Sequence, residues 1–209
     1  HFLGQNFSKA CGIKFQGKDG KEELGWTTSW GVSTRLIGGM IMTHSDDDGL
    51  VIPPRVAPTH IVVLPVTPKE DTRDQVLKSC EELVKNLKNS KFATDSIRVE
   101  IDDRDLRGGE KYWQWVKKGI PLTVEVGPRD LENGTVYVGR RDLGSKRESM
   151  ERSQLIDSVS SILDEIQSNL FARALAFREE NTRSIDNKEQ LYAYFTSDNQ
   201  SKPEIHGGF

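Results

Sequence analysis

Hydrophobic and polar positions alternate in two different periods along this chain, and the changes of period mark its elements. Residues 11–32 read as β structure: Ile13 and Phe15 alternate, GKDGK turns the chain, and Leu24 and Trp26 alternate after it. From residue 35 the period lengthens. Leu36, Ile37, Met40 and Ile41 fall on one face of a helix over 35–44, which the run Asp46, Asp47, Asp48, Gly49 ends. Pro53, Pro54 and Pro58 then interrupt regular structure and predict a linker.

A second series begins at HIVVLPV (60–66), a short apolar strand. Thr72 and Gln75 have capping-box spacing before a helix whose apolar face carries Val76, Leu77, Cys80, Leu83, Val84 and Leu87. Ile97, Val99 and Ile101 alternate as a second strand, and EKYWQWVKK (110–118) reads as a short helix. Leu122, Val124 and Val126 form a third strand. A turn at ENG (132–134) leads to a fourth, with Val136 and Val138, antiparallel to the third. Strands alternating with helices in this order predict an α/β fold with a mixed sheet. The longest helical pattern, 149–182, carries Leu155, Ile156, Val159, Ile162, Leu163, Ile166, Leu170 and Phe171 at helical spacing. Residues 183–209 are polar with a few aromatics, too little to bury a core alone.

Composition narrows the class. The 209 residues are 35% hydrophobic and 29% charged, with a net charge of −3, which speaks against a polybasic membrane binder or a DNA-coating protein. No run approaches the roughly 18 apolar residues of a membrane span. Cys11 and Cys80 have no metal-ligand spacing, and Cys80 falls on an apolar helix face, as a buried thiol in a reducing cytoplasm would. The opening HFLGQNFSKA has neither an initiator Met nor signal-peptide design, so the chain reads as part of something longer.

The chemistry concentrates at Ser33, Thr34 and Arg35, where a polar, Gly-containing stretch meets a helix start. Unpaired N–H groups and the positive dipole end at such a start attract anions, and a guanidinium fork matches phosphate oxygens. Spacing alone leaves two readings open: a phosphate-binding turn, or a capped surface helix with Arg35 in an ordinary ion pair. Asp46–Asp48 read as a solvated helix end rather than a metal site, and His44 and His60, each bordering an apolar run, as structural.

The run GVSTRLIGGMIMTHSDDDGLVIPPRVAP (31–58) resembles the third signature motif of class II prolyl-tRNA synthetases, in the branch found in archaea, eukaryotes and some bacteria. HFLGQNFSKA resembles that family's active-site segment, with Phe2 where the family commonly has a second His. WVKKGIPLTVEVGPRDLENGTVYVGRRD (115–142) resembles its anticodon-binding domain. The resemblance implies three parts: the end of an antiparallel class II catalytic sheet (1–57), an anticodon-binding domain (58–165), and a linker helix with the start of a C-terminal module (166–209). It implies that Arg35 is catalytic and binds ATP phosphates with Ser33 and Thr34, and that His1, Trp30 and Gly31 line the proline site. The reaction implied is activation of L-proline by ATP, with Mg²⁺ on the phosphates, and transfer to proline tRNA by a cytoplasmic homodimer.

Two earlier family motifs are absent from this chain, and with no Cys after Cys80 no four-cysteine zinc site can form within it. The chain alone is therefore expected to be inactive. Proline anticodons carry two guanines, whose O6 and N7 suit basic side chains. Arg104, Lys111, Arg140 and Arg141 are the candidates, with Trp113 as a stacking surface. The alternatives are a non-catalytic tRNA-binding accessory protein, or a threonine or glycine synthetase sharing the anticodon fold. SWGVSTR and IPPRVAP favour proline.

Overall fold

The computed structural model describes residues 1–67, 70–144 and 146–196, in two compact units, His1–Gly39 and a larger one beginning at Met40. The smaller unit holds β1 (Phe2–Gly4), α1 (Asn6–Cys11), β2 (Lys14–Gln16), β3 (Glu22–Leu24) and β4 (Thr27–Thr28). The hairpin expected around GKDGK is present: β2 pairs antiparallel with β3, Phe15 opposite Glu23. β1 pairs with β4, an element the sequence pattern did not show, and Gln5 Nε2 donates to Leu24 O at 2.9 Å to hold the start of α1. Phe2 stacks on Trp26 with ring centroids 5.7 Å apart. Among residues 1–39 only Ser8 is buried; this unit has no apolar core of its own.

α2 (Arg35–His44) forms where the period change predicts a helix, and it spans the division between the units. None of its residues is buried, and Leu36 and Ile37 are more than half exposed, so the apolar stripe read from the sequence has no internal partner.

The larger unit is built on a five-stranded sheet of order β11-β10-β9-β5-β8. β5 (Ile61–Pro65) lies between β8 (Val99–Ile101) and β9 (Leu122–Val126) and is parallel to both. β10 (Thr135–Arg140) and β11 (Arg147–Glu151) continue the sheet antiparallel. The mixed sheet is thus the one the element order predicts. Every residue of β5 is buried because helices cover both faces. Ile61 and Val63 face a core shared with Val76, Cys80, Leu83 and Leu87 of α3 (Arg73–Lys88) and Leu155, Val159, Leu163 and Ile166 of α6 (Arg152–Asn181). Val62 and Leu64 face Tyr112, Trp115 and Val116 of α4 (Gly108–Lys117). Burial pushes the Cys80 thiol up to about 12, which leaves it inert.

Three expectations need correction. The capping box at Thr72 makes no side-chain cap bond, since a 3-10 turn (Glu70–Thr72) leads into α3. The turn at 132–134 ends a short helix, α5 (Pro128–Asn133), with Pro128 at its first position and Gly134 at φ 68° closing it. The segment after α2 is no open linker, because Val51, Pro53, Pro54 and Ala57 are buried against the larger unit. The small hairpin of β6 (Lys91–Phe92) and β7 (Asp95–Ser96) also went unread, as did α7 (Lys188–Phe195). The end of the expected C-terminal module, 197–209, lies outside the described residues.

His60 is structural, as expected. It is 1% exposed, its Nδ1 accepts the Arg98 N–H at 3.1 Å, and burial together with the Arg98 charge brings its pKa down to about 4. His44 closes α2 with its Nδ1 buried.

Candidate nucleotide and RNA sites

In the smaller unit, the strand pair β1–β4 sets the geometry of the first candidate site. Ser29 N donates to the His1 carbonyl at 2.8 Å, and the His1 amino group donates to Ser29 O at 2.7 Å, so the backbone of His1 lies beside the residue preceding Trp30. His1, Trp30 and Gly31, far apart in sequence, thereby share one end of the ribbon. Trp30 is 93% exposed, its indole N–H donating to Thr28 Oγ1 at 3.2 Å. A Cβ placed on Gly31 would meet nothing within 4 Å, so this end faces open space.

The chain then turns into α2. Leu36 N donates to Ser33 O at 3.1 Å and Ile37 N to Thr34 O at 3.0 Å, which winds Ser33 and Thr34 into the first turn. Arg35 opens the helix. It is exposed and has no ion pair or side-chain hydrogen bond among the described residues. Of the two readings left open by spacing, the ordinary ion pair is therefore not what this geometry supplies. A free guanidinium, two hydroxyls and a helix start stand together, as phosphate oxygens require.

The second candidate site lies where the parallel strands end. From β5 the chain passes through α3 to β8 on one side, then through α4 to β9 on the other. That reversal opens a crevice beyond the carboxyl ends of the strands, where open α/β sheets bind ligands. A cleft of about 610 Å³ lies beside the carboxyl ends of β5 and β9, bordered by Thr72, Glu125, Gly127, Arg129, Asp130 and Tyr137. Its two walls differ. Asp130 Oδ2 accepts the Gly127 N–H at 2.8 Å and so is committed to shaping the start of α5, whereas the exposed Arg129 has no side-chain partner among the described residues. Tyr137 presents a partly exposed ring, with the Arg147 guanidinium 5.2 Å from its centre.

The four basic residues proposed to read bases are distributed unevenly. Arg104 and Lys111 meet at the carboxyl end of β8, around Asp102. Arg104 grips that carboxylate twice, Nε to Oδ1 at 2.8 Å and Nη2 to Oδ2 at 2.6 Å, and Trp115 Nε1 donates to Oδ2 at 2.7 Å. The Arg104 bond, aided by Trp115, brings the Asp102 pKa down to about 2. Lys111 is 3% exposed. Its ammonium donates to the carbonyls of Asp102 at 3.0 Å and Pro65 at 3.4 Å, and burial lowers its pKa.

Arg140 and Arg141 lie at the opposite end of the sheet, where Arg140 pairs with Leu122. Arg140 binds Asp142 through two nitrogens, at 3.2 and 3.0 Å, and Glu165 at 2.8 Å. Arg141, 4% exposed, is spent on Asp46 and on the carbonyls of Gly49 and Leu50. Asp46 is accordingly part of an ion pair rather than a purely solvated helix end. Trp113 is 45% exposed, packed edge-on against Tyr112 at 5.5 Å.

Residues 60–162 match the family described as Anticodon binding domain. Over 204 residues the chain is 52% identical to the proline–tRNA ligase of Bdellovibrio bacteriovorus, across 97% of this chain and 41% of that protein. It is 51% identical over 199 residues to the proline–tRNA ligase of Akkermansia muciniphila, across 95% of this chain and 39% of that protein. The prolyl-tRNA synthetase of Cryptosporidium parvum, crystallised with L-proline and AMP, superposes with a TM-score of 0.81 at 38% identity, over 92% of this chain and 40% of its own.

The chain matches the C-terminal region of prolyl-tRNA synthetases, with its anticodon-binding domain.

It spans about two fifths of the length of the curated relatives it matches. Within this synthetase region, sequence reasoning missed Asp102, Arg129 and Tyr137. Asp102 had a local signal, an arginine two residues on, but its indole partner lies 13 residues away. Tyr137 sits on a strand whose alternation gives it the outward face, opposite to Val136 and Val138. Nothing in its immediate sequence indicates that a cleft lies beneath it.

Proposed function

We propose that this chain is the C-terminal part of a proline–tRNA ligase that activates L-proline with ATP and transfers it to proline tRNA. The observation that carries the proposal is Arg35, without a side-chain partner among the described residues, behind Ser33 and Thr34 at the start of α2 in a chain 52% identical to a proline–tRNA ligase. In this reading the Arg35 guanidinium holds phosphate oxygens, the hydroxyls of Ser33 and Thr34 donate beside it, and His1, Trp30 and Gly31 border the prolyl group. The proline carboxylate attacks the α-phosphate and pyrophosphate leaves; a terminal ribose hydroxyl of the tRNA then attacks the prolyl carbonyl and AMP leaves. Positioning and charge neutralisation carry both steps, with no protein nucleophile.

Mg²⁺ belongs to the same proposal as counter-ion of the nucleotide. Among the described residues there is no group of three or more His, Cys, Asp or Glu that could hold a metal.

For the tRNA, the cleft at the carboxyl ends of β5 and β9 supports anticodon binding. Unstacked bases are read by stacking on aromatic rings and by hydrogen bonds to their edges, and Tyr137 and Arg129 offer both. Arg104 lies at the same end of the sheet with its side chain half exposed, which supports a share for it, whereas Lys111, 3% exposed and bonded to two backbone carbonyls, fits a structural role better. Arg140 and Arg141 are committed to internal partners and fit structural roles better. We assign 1–57 to the end of the catalytic domain, 58–165 to the anticodon-binding domain and 166–209 to a linker helix and the start of a further module, within a cytoplasmic homodimer. No helix among the described residues is long and apolar enough to cross a membrane.

The test is amino-acid-dependent ATP–pyrophosphate exchange by the complete protein, followed by charging of proline tRNA. Proline alone should support exchange. Exchange with threonine or glycine in place of proline would assign another class II enzyme. No exchange with any amino acid, alongside tRNA binding, would assign an accessory protein.

A further inference from the structure

On the α4 side of the sheet, β10 and β11 stay open to solvent: Tyr137, Arg147 and Ser149 are exposed. Val124, Val136 and Val138 point the other way, into the core shared with α3 and α6, so Thr123, Glu125 and Tyr137 share the open side. There Tyr137 stands opposite Glu125, Gly139 opposite Thr123, and Arg147 of β11 opposite Gly139. Three neighbouring strands thus bring a carboxylate, a ring and a guanidinium together.

Gly139 makes room for this arrangement. A Cβ at that position would stand 2.6 Å from Thr123 Oγ1 and 3.1 Å from Arg147 Cγ. With no side chain in the way, Arg147 lies across β10 towards β9. Its Nη1 donates to Glu125 Oε1, and its guanidinium carbon sits 4.3 Å from the centre of the Tyr112 ring and 5.2 Å from that of Tyr137. Partners on α4, β9 and β10 therefore hold one side chain of the edge strand.

Two carboxylates border the cleft at the ends of β5 and β9, and they differ in what they have left to bind with. Asp130 is fully committed: Oδ2 accepts the Gly127 N–H at 2.8 Å and Oδ1 the Thr135 hydroxyl at 3.3 Å. Glu125 receives Arg147 on Oε1, whereas Oε2 has no partner among the described residues. Burial pushes the Glu125 carboxyl up and Arg147 opposes that, so Arg147 favours the ionised form. An ionised carboxylate accepts hydrogen bonds and donates none. Among the RNA bases only guanine carries two adjacent N–H donors on its Watson–Crick edge, N1–H and the N2 amino group.

We infer that Glu125 decides which base this cleft accepts, its carboxylate receiving the N1–H and N2–H of one anticodon guanine, and that Arg147 is the positioning residue that holds it. The inference rests on the function proposed above and deepens it, by naming the group that tells guanine from the other bases.

The experiment measures binding of proline anticodon stem–loops to the complete synthetase. Each anticodon guanine is replaced in turn by inosine, which lacks the N2 amino group, and by 7-deazaguanine, which lacks N7. With wild-type protein, inosine at one of the two positions should weaken binding by roughly tenfold, as loss of a charge-assisted base contact does. At that position 7-deazaguanine should change binding by less than about twofold, since N7 lies on the other edge. In Glu125→Gln, with folding checked by its melting curve, guanine and inosine there should bind alike. Arg147→Gln should narrow the same distinction, and Arg147→Lys should restore part of it.

Equal binding of guanine and inosine at both positions by wild-type protein would overturn the inference, and that arm requires no variant. So would a distinction that persists in Glu125→Gln, or one seen with 7-deazaguanine instead of inosine. An undiminished distinction in Arg147→Gln would overturn the role of Arg147. A wild-type protein that binds a stem–loop with both guanines replaced by adenines as well as the proline one would overturn anticodon reading by this domain itself.

Discussion

Replacing Arg35 by alanine in the complete synthetase is expected to slow proline-dependent ATP–pyrophosphate exchange by about a hundredfold to a thousandfold, the usual cost of removing one charge-stabilising contact from a transition state. The reasoning starts from the ground state. Arg35 is exposed and has no acidic partner among the described residues, so truncation should leave the fold undisturbed. The melting temperature should therefore stay where it is while exchange collapses. Arg35→Lys should fall in between, because an ammonium supplies charge without the planar fork. Unchanged exchange in Arg35→Ala would remove the phosphate role.

Asp102→Asn is expected to act in the opposite way, on stability more than on chemistry. The Asp102 side chain is 1% exposed and holds the Trp115 indole at 2.7 Å and the Arg104 guanidinium at 2.6 Å. An unfolded aspartate titrates near about 3.9, whereas the folded one titrates at about 2. Between these values unfolding takes up a proton. The stability that this group contributes is thus complete above pH ~4 and is lost as pH falls towards ~2, at about 2 kcal/mol in all. The exposed Arg104 partner can turn to water, so most of that cost falls on the buried carboxylate and indole. Asp102→Asn should lower the stability at neutral pH by this amount and flatten the acid limb of the stability curve between pH 4 and 2. A variant with wild-type stability at pH 7, or with an undiminished acid limb, would show that the network is dispensable.

The larger unit was readable wherever burial was two-sided or strictly periodic. β5 is an unbroken apolar run because α3 and α6 cover one face and α4 the other. The stripe on α3 and the spacing along α6 likewise follow from packing on a single core. The elements that escaped have no such signature. β11, RESME, is a largely exposed edge strand, and α5 is six residues whose Pro128 and Gly134 look like a turn when seen alone.

The first candidate site was legible because Ser33, Thr34 and Arg35 are contiguous and the helix start is local. The pairing of His1 with Ser29 depends on strand register across 28 residues, which periodicity does not encode. Among the arginines the limit is sharper. Asp46 lies 95 residues from Arg141, so nothing near either reveals that this pair closes on itself rather than on RNA. Arg129, by contrast, sits beside the Pro128 helix start, at a cleft, with no side-chain partner among the described residues.

The most direct measurement is a crystal structure of the complete protein with proline and a non-hydrolysable ATP analogue. The account predicts that the Arg35 guanidinium lies within about 3 Å of phosphate oxygens, as charge-assisted pairs do, with Trp30 and Gly31 bordering the proline. A nucleotide bound elsewhere, with Arg35 facing solvent, would contradict it.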